Sequence, residues 1–194
     1  IIIMLRNPVD RAFSAYTHVA RSEKENLSFE DALEIESERL NHDKTLTPMV
    51  MYKEMGLYYK MVKAYLDNFQ NVHIIIYEDF KNDTEKVVKE AFSFIGVYDN
   101  AKIDTASMHN VGGKSWKIPF LKQFFMKDNF FKKCLRAVFS KALRKRVRLI
   151  IELVLKEETK PIKVNTRMSL LNYFKSDIEK LEQLLSINLK HWKK

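Results

Sequence analysis

Two short runs of continuous apolar residues constrain this chain more than any other feature. Residues 1–5 read IIIML and residues 72–77 read VHIIIY. Runs of this length, rich in β-branched residues and lacking polar alternation, mark strands buried on both faces, as in parallel sheets. The first run meets Arg6-Asn7-Pro8, where Asn7 suits a helix N-cap and Pro8 the first helical position. Val9, Phe13, Tyr16 and Ala20 then recur at helical spacing. The chain therefore opens as strand, tight turn, helix.

Between and after the two runs the pattern is helical. Ser28 with Asp31 resembles a capping box and opens a helix predicted through Arg39, with Phe29, Ala32 and Leu33 facing inward. Residues 41–52 are irregular, and Leu57, Met61, Tyr65, Leu66 and Phe69 mark the next helix. Beyond the second run, Asp83 caps a helix carrying Val87, Val88, Ala91, Phe92 and Ile95, which Gly96 stops. This order predicts an α/β fold with a parallel sheet flanked by helices. No strand is predicted after residue 100. Residues 100–117 read as a loop, residues 130–156 as a long basic helix, and Ile178, Leu181, Leu185, Leu189 and Trp192 as the apolar stripe of a closing helix. A single domain over residues 1–194 is expected, with an α/β part at 1–100 and a helical, basic part at 101–194. Two strands are too few for an independent sheet, so further strands are expected ahead of Ile1.

The charge is concentrated. The chain carries 34 Lys/Arg against 25 Asp/Glu, a net +9. Residues 111–156 hold 13 Lys/Arg and 2 Asp/Glu, a net +11, so the rest is close to neutral. Such a segment favours an anionic ligand or surface. It reads as a solvated helix packed by its apolar stripe, as the lining of a groove for a polyanion, or as a contact with an anionic membrane; no nucleic-acid motif accompanies it. Cys134, the one cysteine, excludes a disulfide framework and tilts the compartment towards a reducing one, and its setting is that of a packing residue. No apolar run approaches the ~20 residues needed to span a bilayer.

In open parallel sheets, ligands bind beyond the carboxyl ends of the strands. Arg6 stands at such an end, immediately before a helix N-terminus that offers free N–H groups and a partial positive charge. Ser14, two turns on, shares the side of Asp10 and Arg11. A guanidinium grips a phosphate bidentately and a serine hydroxyl adds a neutral donor, so these residues make a candidate phosphate clamp. The alternative is a surface arginine paired with a carboxylate and a serine bonded to its own helix.

The run Arg6-Asn7-Pro8-Val9-Asp10-Arg11-Ala12-Phe13-Ser14-Ala15-Tyr16 resembles the 3′-phosphate-binding motif of sulfotransferases, R-N-P-x-x-R-x-x-S-x-Y, at every fixed position. The stretch Leu27-Ser28-Phe29-Glu30-Asp31-Ala32-Leu33 is similar to a segment of carbohydrate-type, heparan-sulfate-like members. Tyr77-Glu78-Asp79-Phe80 resembles the Y-E-D-L at the end of a later strand, and Phe94-Ile95-Gly96-Val97 the F-L-G-L closing its helix. The resemblance implies a P-loop-NTPase-like fold, 3′-phosphoadenosine 5′-phosphosulfate as donor, 3′,5′-adenosine bisphosphate as product, and no metal. It implies that Arg6 and Ser14 bind the 3′-phosphate, that Arg11 supports the motif, and that Tyr77 contacts the adenine. Glu78 and Asp79 are expected to stabilise the strand end. The loop His109–Trp116 stands where the family closes a basic, glycine-containing loop over the nucleotide, which makes Gly112, Gly113 and Lys114 cofactor candidates and Trp116 a stacking candidate. It departs from the family's Arg-Lys-Gly or Lys-Gly-Arg versions.

The family's phosphosulfate-binding loop follows the first strand and precedes the R-N-P motif, as does its Glu or His general base. The resemblance therefore implies that the first strand and this loop are missing from the chain, that its catalytic residues are unidentified, and that it is inactive by itself. His18, one turn past Ser14, is the one weak candidate for a base. The expected function is sulfuryl transfer to a hydroxyl or amine of an acceptor, a carbohydrate or another anionic molecule, in the cytoplasm or, with an anchor missing, the Golgi lumen. Two alternatives stay open: a non-catalytic anion- or membrane-surface-binding α/β module, and a nucleotide kinase of related fold.

Overall fold

The computed structural model describes residues 1–22, 24–43, 45, 47–97, 114–116, 146, 156–158 and 160–193. The two apolar runs form a parallel pair, β1 (Ile2–Leu5) and β2 (His73–Ile76), in register from Ile2 opposite His73 to Leu5 opposite Ile76. Helices connect and follow them: α1 (Pro8–Arg21), α2 (Phe29–Glu34), α3 (Glu36–His42), α4 (Tyr58–Asn68), α5 (Tyr77–Asn82) and α6 (Thr84–Phe94). Two single 3-10 turns, Pro48–Val50 and Glu54–Gly56, bridge α3 to α4. A 22-residue helix, α7 (Val164–Leu185), and a 3-10 segment, Lys190–Lys193, close the chain. The α/β order expected from the sequence is the one observed.

The chain forms two compact units, Ile1–Val111 with Ile162–Lys194, and Gly112–Pro161. In the second, β3 (Lys114–Trp116) pairs antiparallel with β4 (Lys156–Glu158). These strands correct the expectation of none beyond residue 100, and β4 begins where the long basic helix was expected to end. Three-residue strands carry too little pattern to be read from sequence. Cys134 and most of the expected 130–156 helix lie outside the described residues, as does the expected boundary at residue 100.

Other differences have local causes. β1 is not buried on both faces: Leu5 is buried, whereas Ile2 and Met4 are 43% and 49% exposed. Among the described residues β1 has one neighbouring strand, and only one of its faces meets packed helices. The helix predicted from Ser28 breaks at Ile35, separating α2 from α3. Its start is as expected, since the Ser28 hydroxyl accepts from the Asp31 N–H at 3.2 Å and donates to the Asp31 carboxylate at 2.6 Å. The Asp83 cap and the Gly96 stop also hold, with Asp83 accepting from the Lys86 N–H and Gly96 at φ +76°. The closing stripe does not lie on one helix. Ser186, in the left-handed region at φ 53°, ends α7, and Leu189 and Trp192 are buried from the segment beyond it.

The core gathers Leu5, Val9, Ala12, Val62, Phe174, Ile178, Leu181 and Trp192, so α7 packs on α1 and α4 in the same unit. Two carboxylates, buried Glu36 and half-buried Asp177, tie the connections. Glu36 accepts from the N–H groups of Lys53 and Glu54, capping the second 3-10 turn from α3. Asp177 of α7 accepts from Tyr58 and Tyr59, capping α4, whose N-terminus has no side-chain cap of its own. Gly56 fits beneath α7, since a Cβ there would lie 2.7 Å from the Phe174 ring and 3.3 Å from Pro8 Cβ. Phe174 is fully buried and cannot swing away. Gly56→Ala is expected to lower unfolding free energy by about 1–3 kcal/mol, read as a fall in the urea midpoint; an unchanged midpoint would show that α7 does not seat on Gly56.

Candidate functional site

The site is built where β1 ends. Asn7 caps α1 through its side-chain oxygen, which accepts from Val9 N–H at 3.0 Å and Asp10 N–H at 3.4 Å, and Pro8 occupies the first turn. The cap fixes where the chain turns, and so places Arg6 at the strand's carboxyl end and Ser14 two turns into the helix. The Arg6 guanidinium lies 4.8 Å from the centroid of the Tyr77 ring, a cation–π contact between the ends of adjacent parallel strands. It makes no ion pair and no hydrogen bond among the described residues. The Arg6 carbonyl is fixed by the Tyr58 hydroxyl at 2.9 Å, and burial pushes that phenol up to about 12. Ser14 is exposed.

Arg11 points elsewhere. One of its terminal nitrogens donates to the backbone carbonyls of Met51 and Tyr52, its Nε is buried without a partner, and burial lowers its pKa. It braces α1 against the connection before α4. From Tyr52 the network continues inward, its hydroxyl donating to buried Glu25 at 3.0 Å. Glu25 receives a two-pronged pair from Arg39 at 2.6 and 2.9 Å. Hydrogen bonds from Arg39 hold the Glu25 carboxyl below the usual carboxylate range, while burial pushes the Tyr52 phenol up.

Tyr77 is the first residue of α5, a short helix that the sequence pattern did not predict. The helix follows β2 without an intervening loop, and it turns Glu78 towards the β1–α1 junction. Glu78 Oε1 accepts from the Asn7 N–H, and Oε2 from the Trp192 indole, both at 3.1 Å. The stabilising role expected for Glu78 at the strand end is observed. Asp79 is exposed and lines a separate cavity of about 550 Å³ with Ile76 and residues 187–191.

The structure thus brings Arg6 and Tyr77 into contact and sets Ser14 on the helix that begins beside them. Lys114 and Trp116 belong to β3 in the other unit, and Gly112 and Gly113 lie outside the described residues. His18 is exposed and its ring lies 3.3 Å from an Arg21 nitrogen, a surface setting for the weak base candidate. Sequence reasoning missed Trp192 as a site neighbour. Its apolar spacing was visible, whereas its indole bond to Glu78 depends on the chain leaving the helix at Ser186. Among the described residues no cluster of three or more His, Cys, Asp or Glu could hold a metal, and no helix is long and apolar enough to cross a membrane.

Comparison with known proteins identifies the family. The family model described as the sulfotransferase domain matches residues 1–157, and the chain belongs to that family. It is similar to the crystal structure of a sulfotransferase from Alicyclobacillus acidocaldarius, with 28% identity and a TM-score of 0.67. The match covers all of this chain and 57% of that one, so the present chain spans little more than half the length of its structural relative. No curated protein matches the sequence.

The depressed Glu25 carboxyl has a pH consequence. A group whose folded pKa is lowered adds stability above its unfolded pKa, ~4.3 for Glu, and that stability is lost as pH falls through the folded value. Glu25→Gln should therefore lower stability at pH 7 and lose less than the parent between about pH 5 and pH 3. Parallel acid-unfolding curves for the two proteins would refute this assignment.

Proposed function

We propose that this chain supplies the nucleotide-binding side of a sulfotransferase that moves a sulfuryl group from 3′-phosphoadenosine 5′-phosphosulfate to a hydroxyl or amine, on a carbohydrate acceptor. The observation that carries the reading is Arg6, a guanidinium without an ion-pair partner among the described residues, at the carboxyl end of β1 and directly before the capped N-terminus of α1. A guanidinium fork, the positive end of the α1 dipole and an exposed hydroxyl at Ser14 fit a phosphate monoester. Arg6 and Ser14 hold the 3′-phosphate in this reading. Tyr77, which carries the Arg6 guanidinium over its ring, meets the adenine. By resemblance to the family, Gly112, Gly113 and Lys114 are further donor contacts in this reading, and the chain divides into a nucleotide-binding part at residues 1–100 and a basic part at 101–194.

The donor contributes an activated sulfuryl group on a good leaving group. This chain's residues bind and orient its nucleotide, which converts part of the encounter entropy into a fixed geometry. The carbohydrate preference is supported by the Leu27–Leu33 segment and by the polyanion-suited charge of residues 111–156. A cytoplasmic location is supported by the single cysteine.

Calorimetric titration tests the clamp. The parent should bind 3′,5′-adenosine bisphosphate in preference to ATP or AMP. Arg6→Ala should weaken that binding by at least ~30-fold, since a charge-assisted bidentate contact contributes about 2 kcal/mol or more. Unchanged affinity would remove Arg6 from the site, and a preference for ATP would favour a kinase.

A further inference from the structure

The two candidate nucleotide contacts, Arg6 and Tyr77, lie on different strands, and each is followed by a residue held by the same side chain. Trp192 is fully buried close to the end of the described chain. Its indole N–H donates to Glu78 Oε2, and its carbonyl accepts from the Asn7 side-chain amide at 3.3 Å. Glu78 Oε1 in turn accepts from the Asn7 backbone N–H. The Trp192 ring also meets Tyr58 edge-on at 6.1 Å, and Tyr58 holds the Arg6 carbonyl. Trp192 therefore reaches Arg6 by two routes, through Asn7 and through Tyr58, and reaches Tyr77 through Glu78. None of these bonds is local in sequence, since Asn7 and Trp192 are 185 residues apart.

We infer that Trp192 is a positioning residue for nucleotide binding: it touches no ligand itself, and it sets the spacing between the Arg6 guanidinium and the Tyr77 ring by locking Glu78 against Asn7. The inference rests on the reading of Arg6 and Tyr77 as nucleotide contacts. The carboxylate is the hinge of the device. It accepts one hydrogen bond on each oxygen, and losing the indole donor leaves one oxygen of a half-buried carboxylate unsatisfied. The carboxylate is then free to turn towards water and release Asn7. A clamp that must hold both a phosphate and a base suffers from small misplacements of either contact.

The test is a double-mutant cycle read as affinity for 3′,5′-adenosine bisphosphate, with thermal midpoints measured in parallel on the full 194-residue chain. Trp192→Phe keeps the aromatic bulk and removes the indole N–H, and Glu78→Gln replaces one of the two acceptor oxygens with a donating NH2, so that Asn7 and Trp192 can no longer both be held. Each should weaken binding about tenfold, and the double variant should be no weaker than the weaker single one, because both break the same link. Lys193→Met is the control: it removes the neighbouring ion pair to Glu182 and leaves the indole in place, and it should bind as the parent does whatever its midpoint. Parent-like affinity in a folded Trp192→Phe protein, or additive losses in the double variant, would overturn the positioning role while leaving the clamp intact. Should Trp192→Phe fail to fold, Glu78→Gln alone decides: tenfold weaker binding supports the link and parent-like binding refutes it. If the parent binds no adenosine bisphosphate, the reading of the clamp fails and this inference falls with it.

Discussion

Between Leu5 and Pro8 the backbone leaves a strand and enters a helix within two residues, and the polar groups released there must all find partners. Asn7 supplies most of them, capping α1 with its side-chain oxygen, giving its N–H to Glu78 and its amide to the Trp192 carbonyl. Such a turn leaves Arg6 and Ser14 little freedom in where they project. The same compactness explains why the surrounding elements are held by side chains from far along the chain. Asp177 caps α4, Glu78 fastens the junction, and Phe174 seats on Gly56. The β1–α1 junction is thus a local motif held by non-local contacts.

The two arginines of the motif show how identical side chains acquire different tasks. Arg11 is drawn into the protein, where two backbone carbonyls accept from it and burial makes its charge costly. Arg6 keeps its charge at the strand end, lying over an aromatic face and paired with no carboxylate among the described residues. A charge already neutralised by a carboxylate would have to break that pair to take an anion. The setting of Arg6 is that of a group available to a phosphate, and that of Arg11 is a brace.

Much of this was legible in the sequence, and the illegible parts have physical causes. The strand–turn–helix opening, the Asn7 and Asp83 caps and the Gly96 stop rest on local backbone chemistry, and all four are found. The exposure of Ile2 and Met4 was not readable, because burial depends on what lies across the sheet and not on the strand's own residues. The short helix starting at Tyr77 and the departure of Trp192 from α7 depend on tertiary contacts to Asn7 that no window of sequence contains. For the same reason the Arg6-Asn7-Pro8 motif could be picked out from the sequence, whereas the Trp192–Glu78 link could not. The family resemblance, now carried by a match over residues 1–157, identified the motif and said nothing of how its neighbours hold it.

The central claim is that the β1–α1 junction binds the 3′-phosphate of an adenine nucleotide. It is tested most directly by nitrogen-15 NMR of the 194-residue chain titrated in parallel with 3′,5′-adenosine bisphosphate and with adenosine 5′-monophosphate. The account predicts large, saturable shifts of the Arg6 side-chain resonance and of the amides of residues 7, 9–11 and 14 with the bisphosphate, and small ones with the monophosphate. Equal shifts with both nucleotides, or shifts confined to other parts of the chain, would contradict it.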